Sequence, residues 1–448
     1  MSDSPTTAAS TTAGRSTHGL VDGGGLYFSR LVTAGPFVFF GGPAVDDRGL
    51  LTPEVAVAPP FHLSPPAHIV GQTKFIYDRL AAELPQVGSS IDDILQVEQF
   101  IPHKIYADGY LNTSRGPGAM ERGRPASAVV ATGDLMPQGC VVDPTGIAVV
   151  RDRASKEILP ETGGFHGSIR LPEFGHSYEE EGPFNEVVAG DAYVFTIGDQ
   201  VLDWETGDLP PGVKVADYVW WGSEIRNETE FLLDRLERYL ARAGSTLEDV
   251  VHSTIYLYDI ADFWEFDRAW RARFPNDPPA RTVVAARGLG VPRREERPLL
   301  HSDKGIRIEH MTQSIRPGHG AKKEIVSIDA PTVGHESHAV KAGPLLWASG
   351  LYAATDTGVA TAPDARSQLE LIFERLGEIC RAAGARLEDL VRVRAFVLDP
   401  ADAYAVHAAV RAAVPSSPPN VDVTGVPAPF PYPGCTVLVD AVVHVGDA

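Results

Sequence analysis

The chain has 448 residues, 44% of them hydrophobic and six of them Trp, enough for buried cores in two to four domains and too apolar for a disordered or fibrous protein. Thirty-nine Lys and Arg stand against 59 Asp and Glu, a formal net charge of −20. That balance argues against an extended nucleic-acid face, leaving only local basic patches such as Lys322-Lys323.

In chain order, residues 1–19 are polar and Ser/Thr-rich without an apolar secretory core, and read as a flexible tail on a cytoplasmic protein. No later run reaches the ~18 apolar residues of a membrane-spanning helix. One pattern then occurs three times. It opens on an extended run ending at glycine, followed by an apolar strand: LVTAGPFVFFGG around Gly35, EVVAGDAYVFTIGD around Gly190 and HAVKAGPLLWASG around Gly343, spaced by 155 and 153 residues. An amphipathic helix follows, then a Gly-x-x-x-[Asp/Glu]-Asp turn and another apolar strand. In the middle copy Phe231, Leu232, Leu236, Tyr239 and Leu240 recur at helical intervals, Gly244 stops the helix and residues 250–257 form the strand. Each copy closes on a short helix, such as 263–273, a proline-rich break and two strands: 126–131 and 141–150, 282–286 and 305–311, 421–424 and 435–445.

The copies thus read β-β-α-β-α-β-β, with helices collected on one side of a mostly antiparallel sheet, an α+β class. The spacing predicts a tail over 1–19 and domains over 20–158, 159–316 and 317–448, with boundaries near Pro160 and Pro317 and links over 151–164 and 314–324. Residues 46–66 and 204–227 are loop insertions by composition. Three equal units suggest a closed, pseudo-threefold assembly within one chain. Cys140, Cys380 and Cys435 are scattered without CxxC spacing and are expected as core residues.

These repeats resemble the Rid/YjgF family of reactive-intermediate deaminases. The resemblance is strongest in AGSTLEDVVHSTIYL, PPARTVV and GIRIEH of the second copy, then in ESHAVKAGPLLWASG and AGARLEDLVRVRAFV of the third; the first copy is the most divergent. It implies three chorismate-mutase-like domains in a pseudo-trimeric arrangement, with clefts between them. It also implies hydrolysis of enamines or imines such as 2-aminoacrylate to ketoacids and ammonia, without metal or organic cofactor. The family's substrate-binding Arg falls on Arg281 and its acidic residue on Glu309. The first copy has Ser127 and Thr145 at these positions, and the third Val421 and Asp440. The family's early Tyr becomes Phe28, roughly Phe184, and Glu336. One working site per chain is therefore expected.

Arg281 suits the role because a guanidinium always carries charge and holds a carboxylate through a planar donor fork. Glu309 would activate water or exchange a proton with the leaving amine. If the acid comes from a neighbouring copy, Asp440 or Thr145 takes its place. Glu336, Ser337, Ser349 and Gly350 would then line the cleft, with His338 as a candidate base and backbone N–H groups near Ser349-Gly350 as anion donors. His310 points to the opposite strand face from Glu309.

Gly23-Gly24-Gly25 and Gly41-Gly42 lack a nucleotide-binding context, and His301, His310 and His335 form no HExxH pair. No GxSxG elbow is present. Trp220, Trp221 and Trp264 are expected mainly in core packing. The leading reading is cofactor-independent hydrolytic deamination of a small carboxylated enamine, imine or related C–N substrate. Partners are that substrate, with no nucleic acid and no membrane, and self-association of the pseudo-trimers. A specialised amide or carbamate hydrolase, and a noncatalytic small-molecule or client-protein binding module, are the alternatives.

Overall fold

Runs of β-branched and aromatic residues at each of the three repeats build three sheets of one design. The computed structural model describes residues 11–12, 14–55, 65–114, 119–120, 124–159, 185–202, 209–216, 218–219, 221–289 and 305–446. Pro160, Phe184, Trp220 and His301 lie outside them.

The first module contains β1 (Thr11–Thr12), β2 (Arg15–Gly23), β3 (Leu26–Ala34), β4 (Phe37–Gly41), α1 (Pro65–Glu83), β5 (Ile94–Ile101), α2 (Ala107–Ser114), β6 (Ala126–Ala131) and β7 (Asp143–Val149). The second contains β8 (Lys156–Ile158), β9 (Val187–Gly190), β10 (Tyr193–Thr196), β11 (Asp199–Gln200), α3 (Glu224–Ala241), β12 (Val250–Leu257), α4 (Phe263–Arg273), β13 (Ala280–Ala285) and β14 (Ile308–Ile315). The third contains β15 (Glu324–Val326), β16 (Ala339–Ala342), β17 (Leu345–Leu351), α5 (Ala365–Ala382), β18 (Leu390–Val397), α6 (Ala403–Ala413), β19 (Asn420–Gly425) and β20 (Val437–His444).

The sheets run β1-β2-β3-β4-β7-β5-β6, β8-β9-β10-β14-β12-β13 and β15-β16-β17-β20-β18-β19. Setting β1 aside, all three have the same order. The parallel pairs β5/β6, β12/β13 and β18/β19 each need a crossover, supplied by α2, α4 and α6. The Gly-x-x-x-[Asp/Glu]-Asp turn has a direct physical basis. Gly88, Gly244 and Gly384 take φ of 74°, 70° and 79° at the helix ends, and Asp249 and Asp389 accept the backbone N–H of Thr246 and Arg386 at 2.9 Å.

The pattern exceeds the expected one by an outer strand per module, β2, β8 and β15, with β1 paired outside β2. β2 begins at Arg15, inside the expected tail, and the Arg15 guanidinium is buried against the Leu390 carbonyl at 2.8 Å. β8 lies in the expected first link but pairs with β9, so the second sheet starts before Pro160. The second link is likewise ordered at both ends, by β14 running on to Ile315 and by β15. Edge strands bond on one side only, so short polar ones carry little of the alternating apolar pattern that marks a central strand. The three cysteines are free and buried, as expected. Trp221 and Trp264 are 71% and 59% exposed, against the expectation of core packing. Among the described residues, no helix is long and apolar enough to cross a membrane.

Equivalent positions of the three modules meet. Phe100, Tyr256 and Phe396, each seventh in its strand, come together, with Phe100 edge-on to Tyr256 at 6.4 Å and to Phe396 at 5.9 Å. Two positions earlier, Arg394 bonds Glu98 and, at 3.0 Å, Thr254. The prolines preceding β6, β13 and β19 each accept a backbone N–H from another module: Pro125 from Asn185, Pro279 from Ser337 and Pro419 from Ser29. Accordingly β6 packs on β10, β13 on β17 and β19 on β3, joining first to second, second to third and third to first.

Candidate functional site

Arg281 is the second residue of β13, at the junction with β17. Its backbone N–H donates to Ser349 Oγ at 3.0 Å, and that hydroxyl donates to the Ser337 carbonyl at 2.5 Å. The guanidinium is fully buried beside three rings of α4, with Phe263, Phe266 and Trp270 centroids 5.6, 5.4 and 5.6 Å from its carbon. Nε donates to Glu336 Oε2 at 3.0 Å, and Nη2 donates to Asp267 Oδ1 and, at 2.8 Å, to the Val333 carbonyl. Nη1 has no partner among the described residues.

The segment before β16 folds over this arginine. Val333 N–H donates to Glu336 Oε1 at 3.1 Å, and His335 N–H donates to Asp267 Oδ1 at 2.8 Å. Burial pushes the Glu336 carboxyl up to about 7 despite Arg281 beside it. At Asp267 burial works in the same upward direction, but Arg281 and the His335 N–H outweigh it and hold the carboxyl below its ordinary value.

A small cleft, with about 10 Å³ of room for water, is lined by Glu336, His338, Ser349, Gly350, Tyr352, Arg375 and Tyr432, and the buried Arg281 lies behind Glu336 without joining the lining. His338 Nε2 lies 2.8 Å from the Ala330 carbonyl, so Nε2 carries the proton in that bond and Nδ1 is the acceptor of the neutral ring. Ser337 Oγ is spent on the Pro278 carbonyl at 2.6 Å, and Ser349 N–H on the His338 carbonyl at 2.9 Å. Ser349 therefore supplies a hydroxyl brace and no backbone donor to an anion. Arg375 directs its guanidinium at the Tyr352 and Ala354 carbonyls, at 2.5 and 2.8 Å.

Arg281, Glu336, Ser337, His338, Ser349 and Gly350 thus gather as the sequence suggests, whereas Glu309 and Asp440 stand apart. Thr282 follows Arg281 on β13 and points to the other face, where its hydroxyl donates to Asp440 Oδ2 at 2.6 Å. Arg394 grips the same carboxylate, with Nε at 3.0 Å and Nη2 at 2.5 Å. Burial opposes the charge on Asp440, but Arg394 outweighs it and holds the carboxyl low. Asp440 is therefore part of the ionic hub between modules. Glu309 sits at the junction of the first and second modules, where Gln200 Nε2 donates to its Oε2 at 2.7 Å and Oε1 has no partner among the described residues. Burial pushes it up to about 8. Its opposite number there is the segment of Ser127 and Ala128, which carries no arginine.

Asp267 and Arg394 were not singled out in the sequence. Arg392 and Arg394 alternating within the apolar run LVRVRAFV were a readable sign of a polar interior face. Asp267, one acid among the aromatics of α4, has no such signature.

A sequence model of the family described as endoribonuclease L-PSP matches residues 175–294 and 327–445. Similar proteins include a RutC family protein of Pyrococcus abyssi, 28% identical over 103 residues, which are 23% of this chain and 72% of that protein. Mitochondrial protein mmf2 of Schizosaccharomyces pombe is 31% identical over 105 residues, 23% of this chain and 73% of its own. Among solved structures, a chorismatase aligns over 79% of this chain and 93% of its own at 14% identity and a TM-score of 0.48. RidA from an Antarctic Psychrobacter aligns over 27% and 98% at 24% identity and a TM-score of 0.25.

Proposed function

The chain belongs to the endoribonuclease L-PSP family, the Rid/YjgF family its repeats resemble, and from that premise we propose that it is a cofactor-independent hydrolase of a C–N bond in a small substrate. The favoured reaction is deamination of an enamine or imine. Water adds to the carbon of the C=N bond, that C–N bond breaks, and a carbonyl compound and ammonia leave. The observation that carries the reading is the Arg281 cleft, where a buried guanidinium with Nη1 unspent stands beside Glu336, a carboxyl poised near neutrality. Arg281 holds Glu336 in place at the cleft wall, Glu336 takes a proton from water and returns it to the leaving nitrogen, and His338 Nδ1 is a second acceptor.

The proposed frame is three Rid-like domains, starting at the outer strands β2, β8 and β15, closed around a pseudo-threefold axis. The repeated cross-module bonds at Pro125, Pro279 and Pro419 support that closure. Only the junction between the second and third modules holds the arginine, so one working cleft per chain follows.

The test is ammonia release from freshly generated 2-aminoacrylate and from uncharged imines, with spontaneous hydrolysis subtracted, comparing the wild type with Arg281→Ala and Glu336→Gln. Both variants are expected to lose at least ~100-fold in kcat/KM. Because Glu336 works as a base only when ionised, the wild-type rate is expected to rise as pH rises through about 7, and a flat profile would remove Glu336 from the mechanism. A second reading, noncatalytic binding of a small molecule, is favoured by the fact that Asp267 and Glu336 already pair Arg281. Saturable binding without ammonia release from any substrate would select it.

A further inference from the structure

The arginine of this cleft already holds a carboxylate of its own chain. Glu336 Oε2 bonds Nε at 3.0 Å, Asp267 bonds Nη2, and neither guanidinium nor carboxylates are exposed beyond a few per cent. Whenever Glu336 is ionised along with Asp267, the two carboxylates and one guanidinium carry net charge −1. A third carboxylate, brought in by a substrate, would stand beside those like charges in a water-poor site, where such repulsion is screened least, while the unspent Nη1 is itself buried. Arg375, the other cation on the cleft wall, gives one N–H of Nη1 and one of Nη2 to the Tyr352 and Ala354 carbonyls. The remaining wall near it is Tyr352 and Tyr432, which suits an uncharged organic group.

We propose that Glu336, on the cleft wall, is a built-in carboxylate ligand of Arg281 that sets specificity, so that the cleft rejects substrates with a carboxylate at this end and takes uncharged ones. The chemical class is a neutral imine, amide or carbamate. The proposal rests on the reading of this cleft as the working site, and its test uses binding, so that failure of turnover and failure of specificity can be told apart.

Calorimetry would follow 2-oxobutanoate and its uncharged amide on the wild type and on Glu336→Ala, with melting curves in acetate and in acetamide as a parallel readout. In the wild type the amide is expected to bind and the carboxylate is not. In Glu336→Ala the carboxylate is expected to gain about tenfold or more, since it takes over a charge-assisted pair, and acetate but not acetamide should raise the melting temperature. Arg281→Lys in the Glu336→Ala background should erase that gain, because an ammonium lacks the planar fork. If the wild type binds the carboxylate as well as Glu336→Ala does, or if Glu336→Ala gains nothing, the proposal is overturned. Should Glu336→Ala fail to fold, the wild-type comparison of carboxylate with amide decides alone: preference for the amide supports the proposal and preference for the carboxylate sinks it. Absence of ammonia release with these binding preferences intact would sink the deaminase reading only.

Discussion

The junction of the first and second modules and that of the second and third are built from the same strands in the same order, yet they hold opposite electrostatics. At the latter, Arg281 gives two buried carboxylates a partner, and Asp267 is held low as a result. At the former, Ser127 stands where Arg281 would, and on the opposite strand face Glu309, the counterpart of Asp440, is bonded by the amide of Gln200 rather than by an arginine, so burial pushes it up to about 8. An ionised carboxylate in a dry site needs a charged partner, and without one it keeps its proton.

The largest effect in this comparison is expected from Arg281→Ala, which strands Asp267 and Glu336 without their cation. A loss of about 3–5 kcal/mol in denaturant unfolding is expected, and a loss below 1 kcal/mol would mean that the pair carries little of the junction. Glu309→Gln should act through pH. The folded pKa of Glu309 lies above the ordinary value of 4.5, so the folded chain holds this proton longer than the unfolded chain does. Stability from this group is therefore greatest below pH 4.5 and falls as pH rises to about 8. Glu309→Gln should be the more stable protein at pH 9, on the order of 3 kcal/mol, with the gap closing toward pH 5. Asp440, held low by Arg394, has the opposite sign: its contribution is present at neutral pH and is lost only in acid.

Gly334→Ala gives a finer probe of the arginine cleft. Gly334 has φ of 75°, and a Cβ there would press on the Asp267 carboxylate and on Arg281 Nη2. A cost of about 1–3 kcal/mol in thermal or denaturant unfolding is expected, together with weakened cleft binding. Ser127→Ala is the smallest change, costing about 1 kcal/mol or less; a larger loss would show that the serine hydroxyl matters to the first junction as the guanidinium does to the second.

The repeat period, the helix faces, the Gly-to-Asp turns and the central strands were legible in the residues, because each depends on contacts close in sequence or on periods of 2 and 3.6. The spacing of Gly35, Gly190 and Gly343 already announced three equal units, including the first, where the family model finds no match. Position in the repeat also brought Arg281, Glu336, His338 and Ser349 into one list; the last three line one cleft, and Arg281 bonds Glu336 and Ser349 behind it. The edge strands β8 and β15 escaped notice because one-sided pairing asks little of their side chains, and β2 because its residues lack the apolar alternation of a central strand.

What the linear order could not supply was which face of a strand meets which neighbour. Arg281 and Thr282 are adjacent, but the pleat sends one to the cleft and the other to Asp440, so the acid expected beside the arginine sits behind it. Nor could it show that Arg281 is already paired, since Asp267 reaches it from a helix 14 residues earlier and Glu336 from a segment 55 residues later in the next module. Local sequence set the elements and the repeat. The ion pairs and pKa shifts that determine the chemistry were decided only when packing removed water from those charges and fixed their partners.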